Sequence, residues 1–136
     1  MARSNINLLL TRRSVLAKNL GQPGPNKQEL QTILQAGLRV PDHGRSEPWK
    51  IQVLDESAQL ALGEFSADLF QRENPDATAT KIAFERERPQ RSPTLLVVTF
   101  QPNKKKLAKI PELEQLLSSG AVCQNLLVAV QALGYN

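Results

Sequence analysis

Residues 94–100, with the sequence TLLVVTF, form the stretch that decides the fold class of this chain. The run is apolar through its middle and rich in branched side chains, a pattern typical of a strand that is covered on both faces. Residues 49–54, WKIQVL, alternate in part and predict a second strand. Segments of helical spacing lie around both strands, so the sequence predicts a mixed layered domain, either α+β or α/β.

Four segments around these strands have the spacing of helices: 6–10, 26–38, 56–70 and 81–88. The second begins at Asn26, where Glu29 completes the pattern of a capping box, and Pro41 is predicted to end it. The apolar positions of the third are Leu60, Leu62, Phe65, Leu69 and Phe70.

A final helix is predicted to begin at Pro111 and to reach Leu133. From Ala121 onwards it is apolar around most of its circumference, so we expect it to be buried between layers or between chains. Within this helix, Cys123 is predicted to be an inert buried thiol, and Gly120 to permit close packing of another helix.

Composition indicates an ordinary soluble protein. With 136 residues, 40% hydrophobic and 22% charged, the chain is predicted to form one domain over residues 1–136. A single cysteine and a single histidine exclude a disulfide framework and a zinc or other metal site built from several such residues. Purely apolar stretches such as Leu95–Val98 are far shorter than the ~20 residues that span a bilayer, and no signal-peptide pattern is present, so a cytoplasmic location without a membrane partner is expected.

The net charge of +4 is modest and favours attraction of anions in general. A basic run, Lys104–Lys106 with Lys109, is predicted to be a solvated turn. Only 4% of the residues are aromatic, which leaves few stacking platforms, so no nucleic-acid partner is expected.

Arg12, Arg13 and Ser14 follow the first predicted helix and are candidates for holding a phosphate group. Guanidinium groups bind phosphate oxygens in a bidentate manner, and a serine hydroxyl can donate one further hydrogen bond. In the alternative interpretation, the two arginines only complement the dipole at the end of the helix.

His43 is the centre of a second polar cluster with Arg39, Asp42 and Arg45, in a loop between two prolines. A histidine beside an acidic residue is a candidate proton donor or ligand-binding group. The alternative is a surface loop in which Asp42 caps a turn. The sequence contains no Ser-His-Asp arrangement, glycine-rich phosphate loop or clear pair of catalytic carboxylates, so any chemistry must come from a bound cofactor and the catalytic residues stay unassigned.

Three stretches resemble the FMN-dependent nitroreductase family, and its small NAD(P)H nitroreductase subgroup in particular. The first is RRSV at residues 12–15, and the second is LQAGLRVPDH at 34–43 with EPW at 47–49. The third, from Ser119 to Tyr135, is similar to the long central helix of that family. The resemblance extends from about Leu8 to the last residue, and the second stretch is its most specific part.

This resemblance implies an α+β fold, in which a mostly antiparallel sheet is flanked by helices and two chains form an intertwined homodimer. It also implies two FMN sites at the subunit interface. Arg12, Arg13 and Ser14 would hold the phosphate and the polar edge of the flavin, and Arg39 and His43 would approach from the partner subunit. The implied activity is transfer of hydride from NAD(P)H through FMN to a nitroaromatic, quinone or similar small-molecule acceptor.

The chain departs from the family in one respect. Family members continue with a further strand and a C-terminal arm, and no such segment follows Asn136. The resemblance therefore implies an incomplete C-terminal part, and the alternative function is an inactive, truncated flavin-binding remnant or partner protein.

Overall fold

The computed structural model describes residues 5–136, which contain five α-helices and two β-strands. In chain order these are α1 (Asn5–Thr11), α2 (Lys27–Gly37), β1 (Trp49–Leu54), α3 (Glu56–Glu73), α4 (Ala79–Glu87), β2 (Leu95–Phe100) and α5 (Glu112–Ala132). Short 3₁₀ turns lie at Ala17–Asn19, His43–Arg45, Arg88–Gln90 and Lys104–Lys106. The predicted mixture of helices and strands is therefore confirmed.

The two strands pair with each other in an antiparallel sheet. At its end the Gln101 N–H donates to the Pro48 carbonyl at 2.8 Å, and further in the Thr99 hydroxyl donates to the Lys50 carbonyl at 3.4 Å. Every residue of β2 is half-buried. Both faces of β2 are therefore covered in part among the described residues, and neither is fully buried as the sequence predicted.

Helix α2 begins as the sequence predicts. The Asn26 Oδ1 atom accepts hydrogen bonds from the backbone N–H groups of Gln28 and Glu29, and the Glu29 carboxylate accepts from the Asn26 N–H at 2.9 Å. This is a complete capping box. The helix ends at Gly37, earlier than Pro41 alone requires, with Leu38 as its C-terminal cap.

The described chain divides into two compact units. The first contains the described residues up to Ser14, Pro25–Gln52 and Val97–Asn136, and the second contains Val15–Gly24 and Val53–Leu96. The prediction of a single domain over residues 1–136 stays a prediction. The buried apolar side chains of the first unit are Leu8, Ile33, Ile110, Val122 and Leu126. They lie between α1, α2 and α5, and Gly37 brings α2 so close to α5 that a Cβ there would overlap Leu126.

In the second unit, α3 packs against α4 and the turn that follows it. The buried face of α3 consists of Gln59, Gly63 and Ala67. A Cβ at Gly63 would overlap the backbone carbonyl oxygen of Arg86, so this position needs the absence of a side chain. Three of the five apolar positions of this helix, Leu60, Phe65 and Leu69, are exposed, and the small residues make the helix contact.

Helix α5 has one buried and one exposed face. The buried side carries Gln115, Ser118, Ser119, Val122 and Leu126. The opposite side, called the outer face of α5, carries Leu113, Leu116, Leu117, Gly120 and Leu127, all of them exposed.

Two expectations about α5 are corrected by this arrangement. Apart from its own helix and chain neighbours, nothing lies within 4 Å of a Cβ built at Gly120, so no other described helix packs there, and Cys123 is exposed rather than buried. Both lie on the outer side because successive residues turn by about 100° around a helix. Pro111 precedes the first helical residue and occupies the N-cap position.

By length and composition alone, α5 is also able to cross a membrane. The core helix of a soluble protein passes the same test. Its buried polar side chains bond to neighbouring parts of the first unit: the Ser119 hydroxyl donates to the Pro48 carbonyl at 3.1 Å, and the Gln115 side-chain amide donates to the Ile110 carbonyl at 3.2 Å. These contacts favour a core helix.

Candidate functional site

The arginine pair, Arg12 and Arg13, lies directly after α1 together with Ser14. Buried Leu8 anchors α1, and the Arg12 N–H donates to the Leu8 carbonyl at 3.0 Å, which completes the last turn. The Arg12 Nη1 atom lies 3.4 Å from the Ser14 hydroxyl, and the Arg13 Nη1 atom lies 3.2 Å from the Arg12 carbonyl. Neither guanidinium forms an ion pair with any of residues 5–136. Two cations and a hydroxyl are therefore available to an anion.

Arg39 lies just beyond the end of α2, where α5 holds the backbone. The side-chain amide of Asn125 donates to the Arg39 carbonyl at 2.8 Å and to the Ala36 carbonyl at 3.3 Å. The Arg39 side chain is exposed, and within residues 5–136 it has no acidic partner. Its backbone position is therefore determined by α5, while its guanidinium faces solvent.

Residues 42–47, called the His43 loop, adopt an unusual backbone. Gly44, Arg45 and Glu47 have φ angles of 63°, 52° and 45°. Positive φ is common for glycine but disfavoured for arginine and glutamate, and such residues cluster at functional sites. Asp42 closes the loop internally, because its Oδ2 atom accepts the Glu47 N–H at 2.8 Å and its carbonyl accepts the Arg45 N–H at 3.2 Å. Its other carboxylate oxygen, Oδ1, is buried and has no partner among the described residues.

Side chains of the segment before α5 donate hydrogen bonds to the backbone of the His43 loop. The Lys106 ammonium donates to the carbonyls of Gly44 and Arg45 at 2.5 and 2.6 Å. The Asn103 side-chain amide donates to the Ser46 carbonyl at 3.2 Å, and the Asn103 N–H donates to the Gln115 side-chain oxygen at 2.7 Å. A chain of hydrogen bonds thus connects the loop to the buried face of α5.

His43 pairs with Glu114, in the first turn of α5. Its Nδ1 atom lies 2.8 Å from the Glu114 carboxylate, and the side chains are 64% and 49% exposed. The sequence suggested Asp42 as the acidic neighbour, and this is corrected: the Asp42 carboxylate bonds to the Glu47 backbone, and the acid beside the imidazole lies 71 residues further along the chain.

Arg39 and His43 lie on the segment between α2 and β1, and the arginine pair lies on the segment between α1 and α2. Both segments follow helices that pack against α5. Within residues 5–136 no hydrogen bond or ion pair joins the two groups. No cluster of three potential metal ligands is found in this part of the chain.

Sequence reasoning missed four residues that hold the site: Lys106, Glu114, Asn103 and Asn125. The sequence placed Lys106 in a solvated turn and Glu114 among the acids at a helix start, and neither pattern contains a signal for a partner more than 60 residues away. The polar Asn125 within an apolar helix was the one available signal, because a half-buried amide needs hydrogen-bond partners.

Comparison with known proteins identifies relatives that match most of the chain. The model of the nitroreductase family matches residues 9–136. The Escherichia coli K12 protein named "Putative NAD(P)H nitroreductase YdjA" is 34% identical over 131 residues, which are 96% of this chain and 68% of that protein.

Two solved structures share the fold. A nitroreductase-like family protein from Bacillus cereus superimposes with a TM-score of 0.77 at 20% identity, over 98% of this chain and 67% of that one. A nitroreductase with bound FMN from Bacteroides fragilis gives a TM-score of 0.65 at 20% identity, over 97% of this chain and 66% of that one. The chain therefore spans about two thirds of the length of these proteins.

Proposed function

The chain belongs to the nitroreductase family, and on this premise we propose that it is an FMN-dependent oxidoreductase that carries hydride from NAD(P)H to a nitroaromatic, quinone or similar acceptor. The single observation that carries the proposal is the family match over residues 9–136. A solved structure of the same fold contains FMN, which supports the choice of cofactor. The proposal includes a cytoplasmic location.

We assign the phosphate of FMN and the polar edge of its flavin to Arg12, Arg13 and Ser14. The fit is chemical: a phosphate dianion requires fixed cationic donors, and both guanidiniums lack acidic partners within residues 5–136. The Arg12 guanidinium and the Ser14 hydroxyl are already 3.4 Å apart, so both can donate to one phosphate group. Arg39 and His43 of the partner subunit are assigned to approach the cofactor across the subunit interface.

When bound, FMN supplies the hydride chemistry, accepting two electrons from NAD(P)H and passing them to the acceptor. The residues of this chain bind the cofactor, orient it and shield it from water. An arginine side chain beside the flavin's polar edge favours uptake of electrons, because it stabilises the negative charge that develops there. The attraction between this arginine and the negative charge on the flavin is stronger when a second subunit excludes water around them.

A homodimer completes the proposal, and the outer face of α5 is its supporting feature. Leu113, Leu117 and Leu127 are 66%, 65% and 51% exposed, which leaves an apolar stripe along the helix. No charged residue occurs from Gln115 to Asn136, so the stripe offers nothing for a charged partner to pair with. A second copy meets it with the same neutral, apolar face under two-fold symmetry.

Flavin binding is the first test. FMN is titrated into the purified protein, and quenching of flavin fluorescence gives the dissociation constant. Replacing Arg12 and Arg13 together by alanine is expected to weaken binding by at least about a hundredfold, since each charge-assisted contact contributes about tenfold. Arg72→Ala removes the same charge from an exposed position of α3 and is expected to change it by less than about twofold. Folded parent protein that does not bind FMN rejects the proposal.

Turnover separates the enzyme from the inactive flavin-binding alternative. The FMN-loaded protein is mixed with NADH or NADPH and a nitroaromatic or quinone acceptor, and oxidation of the nicotinamide is followed by absorbance. Acceptor-dependent oxidation supports the enzyme. A protein that binds FMN but oxidises neither nicotinamide supports the inactive remnant.

The dimer is tested by sedimentation of variants. Leu117→Glu places a charge in the outer face of α5 and is expected to yield monomers, because a charge buried without a partner is strongly unfavourable. Leu60→Glu introduces the same change at an exposed position of α3 and is expected to leave the oligomeric state unchanged. Identical sedimentation of both variants would contradict this interface.

A further inference from the structure

The His43 loop does not hold its shape by local preference. Arg45 and Glu47 have positive φ angles of 52° and 45°, which side chains with a Cβ rarely adopt. The backbone N–H groups of both residues donate hydrogen bonds to Asp42. The carbonyls of Gly44 and Arg45 accept no hydrogen bond from within the loop, and a loop released from outside contacts would relax to commoner backbone angles.

Lys106 supplies the partner for both carbonyls. Its ammonium lies 2.5 Å from the Gly44 oxygen and 2.6 Å from the Arg45 oxygen, so one cation spans two successive peptide groups. Lys104 and Lys105 belong to the same 3₁₀ turn but are exposed, whereas Lys106 is half-buried. Of the three adjacent lysines, one therefore points at the loop, and the other two provide matched controls.

Glu114 acts on the side chain of the same loop. Its carboxylate lies 2.8 Å from Nδ1 of His43, and an ionised carboxylate there favours the tautomer with the proton on that nitrogen. Nε2 makes no hydrogen bond to any of residues 5–136. A carboxylate on one side of an imidazole is a common way to present the opposite nitrogen to a ligand.

We infer that Lys106 and Glu114 are positioning residues for cofactor binding, in which Lys106 holds the backbone of the His43 loop and Glu114 orients the imidazole so that Nε2 faces FMN. This inference rests on the proposed function. Neither residue contacts the cofactor in this assignment. Each acts through His43 or through the peptide groups next to it.

The backbone part is tested with Lys106→Met, which keeps the aliphatic stem and removes the ammonium, and with Lys105→Met as control. Amide hydrogen exchange in the protein without FMN is expected to rise by at least about tenfold at Arg45 and Glu47 in the first variant, because it loses both charge-assisted hydrogen bonds to the Gly44 and Arg45 carbonyls. Exchange at the core residues Ile33 and Val122 stays unchanged if the effect is local. The FMN dissociation constant is expected to rise by about tenfold as well, and Lys105→Met is expected to change both by less than about twofold.

The imidazole part is tested with Glu114→Gln and Glu114→Ala, and with Glu112→Ala as a control for loss of charge in the same helical turn. Nitrogen NMR reports the His43 tautomer: Nδ1–H in the parent and in Glu114→Gln, which keeps an oxygen acceptor, and a shift towards Nε2–H in Glu114→Ala. FMN binding is expected to weaken by about tenfold in Glu114→Ala and to be largely restored in Glu114→Gln. A purely structural role would not move the tautomer.

The outcomes distinguish this inference from the proposed function. Parent protein that does not bind FMN overturns both. Parent that binds FMN, with Lys106→Met and Glu114→Ala binding as tightly as their controls, overturns the positioning roles alone. Faster exchange in the His43 loop without weaker binding, or weaker binding without faster exchange, also overturns the role of Lys106. Faster exchange throughout the core would assign Lys106 to stability and would likewise reject it.

Discussion

Asn125→Asp is the sharpest perturbation of the connection between α2 and α5. The parent amide donates to the Arg39 carbonyl at 2.8 Å and to the Ala36 carbonyl at 3.3 Å. Aspartate has nearly the same shape and helix propensity, but its ionised side chain only accepts hydrogen bonds. Two attractive contacts therefore become two contacts between oxygens.

The magnitude follows from these contacts. Losing two hydrogen bonds to carbonyls costs about 1 kcal/mol each, and the new negative charge beside the C-terminal end of α2 costs about 0.5 kcal/mol. The Ala36 carbonyl keeps the Arg39 N–H as a donor at 3.1 Å, so the loss is concentrated at Arg39. The total of about 2.5 kcal/mol corresponds to a fall of about 1 M in the urea midpoint of unfolding.

Urea unfolding followed by far-UV circular dichroism measures this change. Gln124→Glu is the matched control, because it makes the same amide-to-acid exchange at an exposed neighbouring position of α5. Its expected effect is within about 0.5 kcal/mol. Acidification below about pH 4 protonates the new aspartate, which then donates one hydrogen bond, so the gap between variant and parent narrows.

A result in which Asn125→Asp loses no more stability than Gln124→Glu would refute the role of the amide. If the stability difference between Asn125→Asp and the parent widens on acidification, the electrostatic part of the explanation is refuted. Because Asn125 also holds the Arg39 backbone, the variant is expected to bind FMN more weakly than the control does, and the same fluorescence titration measures this effect.

Three further predictions concern stability and assembly. Gly63→Ala is expected to destabilise the protein by about 2 kcal/mol in urea unfolding, because overlap with the Arg86 carbonyl outweighs the gain of about 1 kcal/mol in helix propensity; a more stable variant would contradict the contact. Hydrogen bonds from the Asn26 backbone and from Tyr135 hold the pKa of Glu29 below its usual value of 4.5, so its stabilising contribution is present above that value and is lost as pH falls through the lowered pKa. Glu29→Gln is therefore expected to reduce the acid-induced loss of the free energy of unfolding, and an unchanged pH profile would disprove this. Gly120→Ala is expected to weaken the dimer in sedimentation while stabilising the isolated chain by about 1 kcal/mol, and an unweakened dimer would place Gly120 outside the interface.

The sequence predicted the elements of the fold well where their signals are local. The capping box of Asn26 and Glu29 joins residues three positions apart, and its bonds form as predicted. The run of branched residues that contains β2 and the proline before α5 are also local signals, because each predicts an element in its own segment. Family motifs identified the nitroreductase fold in the same way, because their residues are contiguous in the chain.

The faces of the helices were predicted less well. In α3 the leucines and Phe65 have helical spacing, yet the contact with α4 is made through Gly63 and its small neighbour Ala67. Periodicity measures how apolar a face is, whereas close approach of two backbones depends on how small its residues are. Cys123 was wrongly predicted to be buried for a related reason: α5 is apolar on both sides, and only the packing of α1 and α2 decides which side is covered.

The sequence by itself determined the candidate residues, because Arg12, Arg13, Arg39 and His43 can be read from short contiguous motifs. Only the tertiary structure decided what holds them. Lys106 lies 62 residues from the Gly44 carbonyl that it binds, and Glu114 lies 71 residues from His43. One lysine in a run of three looks like the others in sequence, and the direction of its ammonium depends on where the fold places the carbonyls of Gly44 and Arg45. Long-range polar contacts depend on the relative position of whole elements, and no local pattern encodes that position.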